Sequence, residues 1–94
     1  MSETIHRFSR PLVDAEGRVY VAEAHGRQGE SGLWEGWIVF SGVGRDVVLQ
    51  TGIESRQPDR RALTYWASGL QPSYLEGALT RAMRARVEEF TASL

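Results

Sequence analysis

The chain of 94 residues contains no cysteine, and this absence excludes two classes of stabilised protein. Disulfide bonds cannot hold the fold together, and thiolate metal sites of the zinc-finger kind cannot form. An apolar core must therefore carry the fold alone. A protein of this size buries roughly 60–65% of its unfolded surface, so we expect a single domain, residues 1–94, of modest stability.

Long apolar runs are missing as well. No stretch approaches the roughly 20 apolar residues that span a bilayer, and the first seven residues lack the apolar block of a signal peptide. We therefore expect a cytoplasmic protein with no membrane segment and no cleaved leader.

Lysine and asparagine are also absent, so all eleven basic residues are arginine. Such a composition is typical of a G+C-rich bacterial genome. Twelve acidic residues bring the formal net charge to -1, which argues against binding a polyanion by bulk charge. The chain has no phosphate-loop glycine pattern and no evident serine–histidine–acid arrangement. We predict a protein without catalytic residues, cofactor or bound metal.

The first half of the chain alternates between apolar and polar residues and predicts antiparallel strands. Residues 14–17 suit a type I turn closed by a left-handed glycine, so residues 8–13 should pair with residues 18–26. Pro11 cannot donate a ladder hydrogen bond and places the first strand at a sheet edge. Alternating stretches at 33–40 and 47–53 bring the sheet to about four strands.

A period near four replaces this alternation after Pro58 and predicts a short helix. Its apolar stripe consists of Leu63, Trp66, Ala67 and Leu70. Asp59 can cap the start of this helix, and Gly69 suits the left-handed position after its end.

A longer helix should follow. Ser73 and Glu76 fit the capping-box pattern, and an apolar stripe then runs from Leu75 to Phe90 and should cover one sheet face. Gly77 costs this helix about 1 kcal/mol relative to alanine, which indicates close approach by a bulky group such as Trp66. We predict an α+β fold, with an antiparallel sheet of about four strands followed by a short and a long C-terminal helix packed on one face.

The strand at 33–40 is apolar on both sides, although a domain of this size has one core. Pairing Tyr20 with Phe40, and Phe40 with Val47, places Trp34 and Ile38 in that core. The opposite side then carries three rows: Val21, Val39 and Val48; Glu23, Trp37 and Gln50; His25, Glu35 and Gly52.

Three interpretations of this second side stay open. The short helix, or the segment around Ile5, folds over it as a minor core; a protein partner or a second copy covers it; or it holds a small ligand. We predict a protein-binding or dimerising module. Its candidate partner-binding residues are Val21, Glu23, His25, Glu35, Trp37, Val39, Val48 and Gln50.

His25 lies among carboxylates, since Glu23 and Glu35 are its predicted neighbours. One histidine with two carboxylates has the ingredients of a metal site or a general acid–base pair. An ion pair between His25 and the opposite Glu35 accounts for the same arrangement without metal. A raised pKa of His25, giving a pH-sensitive interface, is a third hypothesis.

An alternative function is binding of nucleic acid or of an anionic ligand near the corner between the helices. Backbone amides at the start of the long helix favour an anion, and the candidate residues are Arg56, Arg60, Arg61 and Ser73. Arg81, Arg84 and Arg86 could also contact nucleic acid. Because Glu88 and Glu89 follow directly, that stretch is more typical of a solvated face, and we do not expect a nucleic-acid partner.

Residues 65–79, with the sequence YWASGLQPSYLEGAL, resemble a segment of short bacterial proteins that have no established function. The resemblance covers about a sixth of the chain. It implies neither catalytic residues nor a ligand.

Overall fold

The computed structural model describes residues 1–92 and confirms the predicted fold class, an antiparallel sheet followed by a short and a long helix. The elements are β1 (Glu3–Arg7), β2 (Leu12–Val13), β3 (Val19–Gln28), β4 (Trp34–Gly42), β5 (Val48–Gln50), β6 (Ser55–Gln57), α1 (Arg60–Ser68) and α2 (Pro72–Ala92). Within the described range, no helix combines the length and apolarity that a membrane crossing requires.

The sheet has two long central strands, and both of its edges are interrupted. β1 and β2 pair with successive parts of β3, while β5 and β6 pair with successive parts of β4. Pro11 lies in the gap between β1 and β2, as its predicted edge position requires. The first strand begins at Glu3 and not near residue 8, and its Ile5 side chain joins the core.

The register between strands differs from the predicted one by two residues. Tyr20 pairs with Gly42, and Phe40 pairs with Ala22 on one side and with Leu49 on the other. The loop between β3 and β4 closes more tightly than predicted, because the N–H of Gly29 donates to the carbonyl oxygen of Leu33 at 2.7 Å. A shift of two leaves every side chain on its predicted face, since the strand period is two.

Both helices pack on one side of the sheet, which we call the inner face. Its central residues are Tyr20, Ala22, Ala24, Gly26, Ile38 and Phe40, and α2 adds Leu75, Ala78, Leu79 and Ala82 to the same core. A β-carbon on Gly26 or Gly36 would lie 2.5 or 2.7 Å from a methyl carbon of Leu63. These glycines therefore make the space that α1 occupies, and α1 does not cover the opposite face.

The two ends of α1 were predicted with mixed success. Asp59 caps the start, since its Oδ1 accepts a hydrogen bond from the N–H of Ala62 at 2.8 Å. Gly69 at the other end has a right-handed φ of -92°, so the left-handed prediction is wrong. Its N–H donates to the carbonyl oxygen of Trp66 at 3.3 Å, and this tight turn leads the chain directly towards α2.

The start of α2 also differs from the prediction. The helix begins at Pro72, so Ser73 lies inside the first turn and the predicted capping box is wrong. Proline suits the first helical position because its missing amide has no partner there. Gly77 does not receive Trp66 either, because a β-carbon at Gly77 would meet only Nη1 of Arg81, at 3.3 Å.

The C-terminal third of α2 extends beyond the core. Ala82 is buried, whereas Val87 and Phe90 are largely exposed. A helix of 21 residues is about 31 Å long, and its residues 85–89 border a groove beside the edge strand β5. The predicted apolar stripe therefore covers the sheet only as far as Met83, which is partly buried.

A wide bulge separates β5 from β6. Residues 51–54 oppose only Trp37 and Ile38 of β4, so four residues face two. The bulge stays attached because the N–H of Thr51 donates to the carbonyl oxygen of Ile38 at 3.0 Å, and its Oγ1 accepts from the N–H of Ile38 at 3.1 Å.

Glu54 fastens this bulge to α2. Its carboxylate accepts a hydrogen bond from the hydroxyl of Tyr74 at 2.5 Å and is ion-paired with Arg81. Burial of Glu54 opposes ionisation, but the hydrogen bonds from Arg81 and Tyr74 outweigh it and lower the pKa of Glu54. Burial and the same carboxylate raise the pKa of Tyr74 to about 12. The side chain of Arg81 therefore has a structural role, as the ion-pair partner of Glu54.

Candidate functional site

The side of the sheet away from the helices, which we call the outer face, carries all the predicted partner-binding residues. Its rows, read from β3 across β4, are Val21, Ser41 and Val48; Glu23, Val39 and Gln50; His25 and Trp37; Arg27, Glu35 and Arg56. The two-residue register shift thus places His25 opposite Trp37, and not opposite Glu35 as predicted.

Trp37 lies at the centre of one end of this face and is nearly buried. Only 9% of it is exposed. The Arg27 guanidinium carbon is 5.3 Å from the indole ring centroid, and the His25 ring is 6.4 Å away. Gly52 and Ile53 of the bulge line a groove of about 210 Å³ beside the indole. We call this region, Trp37 with Val39 and the side chains around them, the tryptophan cluster.

This burial does not come from the sources that the sequence indicates. Ile5 belongs to the inner core, and α1 packs against Gly26 and Gly36 on the inner face. Neither segment folds over Trp37, so the interpretation in which they do is wrong. The indole is covered by long side chains of its own face and by the bulge.

Glu23 contacts two nitrogen-bearing side chains within the tryptophan cluster. Its Oε2 accepts from Arg7 Nε at 2.9 Å, and its Oε1 lies 3.0 Å from His25 Nε2. The hydrogen bond with His25 is the main cause that lowers the pKa of Glu23, with a smaller contribution from Arg7. The partner of His25 is thus its neighbour on the same strand.

Glu35 forms a separate pair of ion pairs. Its carboxylate oxygens lie 3.5 Å from Arg27 Nε and 3.2 Å from Arg56 Nε. Across residues 1–92, no group of three or more His, Asp or Glu side chains is arranged to hold a metal ion. The histidine and the two predicted carboxylates therefore act as two ion-pair groups that surround Trp37.

The other end of the outer face is apolar and exposed. Val13 pairs with Val19, and the N–H of Val43 donates to the carbonyl oxygen of Val19, so these three side chains form a row beside the row of Val21 and Val48. We call the five residues Val13, Val19, Val21, Val43 and Val48 the valine patch. Val19 is partly buried, and the other four are 45–62% exposed.

Sequence reasoning found only part of this patch. Val21 and Val48 were predicted from alternation, but Val13, Val19 and Val43 were missed. Leu12 pairs with Tyr20 on the inner face, so the neighbouring Val13 must face outward. A count of valines flanking the two turns, with the sides assigned by alternation, would have found the missing three.

The residues of the predicted anion site lie in different places. Arg56 is ion-paired with Glu35 on the outer face, and Arg60 is ion-paired with Glu3 of β1. Arg61 lines a surface groove with Tyr65 and Trp66 on the first turns of α1. Ser73 lies in the first turn of α2, after the turn that follows the other end of α1. The structure does not assemble these four residues into one pocket.

The outer face presents exposed apolar side chains at one end and charged side chains in contact with one another at the other. The tryptophan cluster has satisfied charges and a nearly buried indole, and the valine patch has no titratable group. Contiguous apolar surface of a few hundred Å² on a monomer often marks a binding site. The chain matches no protein-family model, and the comparisons with curated proteins and with solved structures return no match.

Proposed function

We propose that this protein is a non-catalytic binding module whose outer sheet face, centred on the valine patch, packs against another polypeptide. The observation that supports the proposal is the exposure of four valines, at 45–62%, in two adjoining rows. Burying such side chains contributes about 25 cal/mol for each Å² removed from water. Burial of these side chains therefore stabilises a complex in which the partner surface covers both rows.

The two ends of the outer face have different roles in this proposal. The valine patch supplies the apolar centre of the contact, and the ion pairs around Trp37 supply a polar margin. An apolar centre with a polar rim is the usual anatomy of a protein interface. A standard interface buries roughly 800 Å² on each partner, so the valine patch must be joined by neighbouring outer-face residues such as Glu23 and Gln50.

Self-association is the first measurement. Sedimentation equilibrium of the wild-type protein over a range of concentrations should give a mass that rises towards that of a dimer. Replacing both Val21 and Val48 with glutamate places charge in the patch and should keep the protein monomeric. Tyr65→Glu is the control for each glutamate taken singly, because it adds one negative charge on an exposed residue of α1, away from the patch.

A monomeric wild-type protein excludes a second copy as the partner and leaves a different polypeptide. A photo-crosslinking residue at position 48, introduced in the native host, should then form protein adducts that the same residue at position 65 does not form. A monomer without such adducts contradicts the proposal.

A further inference from the structure

The edge strand β5 carries backbone groups that point away from the sheet. The N–H of Gly42 donates to the carbonyl oxygen of Val47 at 2.8 Å, and the N–H of Thr51 donates to Ile38 at 3.0 Å. In an antiparallel ladder these bonds alternate along the strand. The N–H and C=O groups of Val48 and Gln50 therefore face the open edge, where they can pair with a further strand.

A groove runs beside this edge. Its volume is about 830 Å³, which falls in the range of specific binding sites. Val48 and Gln50 form one wall, and Ala82 and Ala85 of α2 form the other. Because alanine side chains end at the β-carbon, the helix leaves room for another backbone next to β5.

The rim of the groove is acidic. Among residues 1–92, Asp46, Glu88 and Glu89 line it together with one cation, Arg86. None of these four side chains forms an ion pair with another residue in the range 1–92. Three carboxylates against one guanidinium favour a partner that carries positive charge.

We propose that this groove binds an extended, basic polypeptide segment as an additional strand on β5. Main-chain hydrogen bonds to Val48 and Gln50 provide the docking, as in other cases of strand addition. Side chains of the added strand alternate between the two faces of the sheet. Those on the outer side continue the row of Val21 and Val48 and should be apolar, whereas those on the inner side face Glu88 and Glu89 and should be basic.

This site is separate from the contact described under Proposed function. That contact uses side chains of the outer face, whereas the strand addition uses the backbone of β5 and the wall of α2. Val21→Glu damages only the first, and a change to the amide of residue 48 damages mainly the second. The two proposals can therefore fail independently.

The direct test uses a fluorescent peptide of about seven residues that alternates valine and arginine. Its anisotropy should rise in a saturable way on titration with the wild-type protein. Val48→Pro removes one outward N–H, and proline is tolerated on an edge strand where its nitrogen faces solvent. This variant should keep its circular dichroism spectrum and bind about tenfold more weakly. Val48→Thr is the matched control, because it changes the side chain and retains the amide.

Two further peptides distinguish the contribution of main-chain hydrogen bonds to binding from that of charge. A peptide alternating valine and glutamate should bind at least about tenfold more weakly, because it meets an acidic rim. A valine–arginine peptide with N-methylated amides on the edge that faces β5 should bind equally weakly, because it lacks the donors.

Three results would overturn the proposal. The first is the absence of binding to the wild-type protein, and the second is equal binding to wild type and Val48→Pro. The third is a wild-type dimer that Val48→Pro converts to monomer and Val48→Thr does not, since the amide on the open edge then pairs with a second copy. Loss of self-association in Val21→Glu with retained peptide binding supports two separate sites.

Discussion

The two ends of the outer sheet face, the tryptophan cluster and the valine patch, both carry apolar side chains, but these are buried only in the tryptophan cluster. Trp37 and Val39 are each 9% exposed, whereas Val21 and Val48 on the same face are 45% and 62% exposed. No helix covers either end among the described residues, since α1 and α2 contribute to the core of the inner face. The difference arises within the face itself.

The length of the neighbouring side chains explains the contrast. Arginines surround Trp37. Their aliphatic stems cover apolar surface while their charged ends reach carboxylates, and Arg27 lies directly over the indole. The bulge adds Ile53 from the side. Around Val21 stand Ser41 and other valines, which are too short to cover a neighbour. One end of a sheet face can therefore be covered by side chains of the same face while the other end stays exposed.

The largest expected effect is on Trp37. Trp37→Ala removes a nearly buried indole and should lower the free energy of unfolding by about 3–5 kcal/mol, measured by urea denaturation. A loss below about 1 kcal/mol would mean that Trp37 is effectively a surface residue and that the two ends do not differ.

A matched pair of valine substitutions compares the two ends directly. Val39→Ala should cost about 2 kcal/mol, because two buried methyl groups are lost and a cavity remains. Val21→Ala should cost about 0.5 kcal/mol, as is typical of exposed sites. Both residues lie on central strands, so the loss of strand propensity is common to the two variants. Equal costs in urea denaturation would contradict the burial difference.

The fold class and the faces of the sheet could be predicted from the sequence because both depend on local patterns. Alternation assigns each residue of β3 and β4 to a side, and that assignment survives a register error of two. Asp59 was recognisable because capping is local chemistry. The exact pairing of Tyr20 with Gly42 was not predictable, because both registers place apolar residues opposite one another and the loop geometry decides between them.

Glycine positions show the same limit. Gly77 was expected to receive Trp66, but the close approaches occur at Gly26 and Gly36, where Leu63 packs against the sheet. Which of several glycines accepts a bulky neighbour depends on where the helix lies over the sheet, and that is tertiary information. Gly77→Ala should accordingly raise the free energy of unfolding by about 0.5–1 kcal/mol in urea denaturation, whereas Gly36→Ala should lower it.

The candidate site was predictable in outline only. The sequence places its residues on the correct face. It does not predict how exposed each side chain is, because the cover over Trp37 depends on Arg27 and on the bulge at residues 51–54. Alternation at 47–53 predicts one continuous strand, but the strand ends at Gln50 and the four residues that follow oppose only two of β4. The open edge of β5 likewise requires the hydrogen-bond pattern as well as the strand assignment.

The smallest expected effect is a pH dependence in the tryptophan cluster. The hydrogen bond with His25 lowers the folded-state pKa of Glu23, so Glu23 contributes stability above its unfolded pKa of about 4.3, and this contribution is lost as pH falls through the folded pKa. Urea denaturation from about pH 7 to pH 3 should show that wild type loses more stability than Glu23→Gln, by less than about 1 kcal/mol. Glu30→Gln, in the loop between β3 and β4, controls for the loss of one carboxylate. Parallel curves for wild type and Glu23→Gln would mean that the ion pairs around Trp37 do not add to the stability of the fold. The aliphatic stems of the arginines alone would then keep the indole covered.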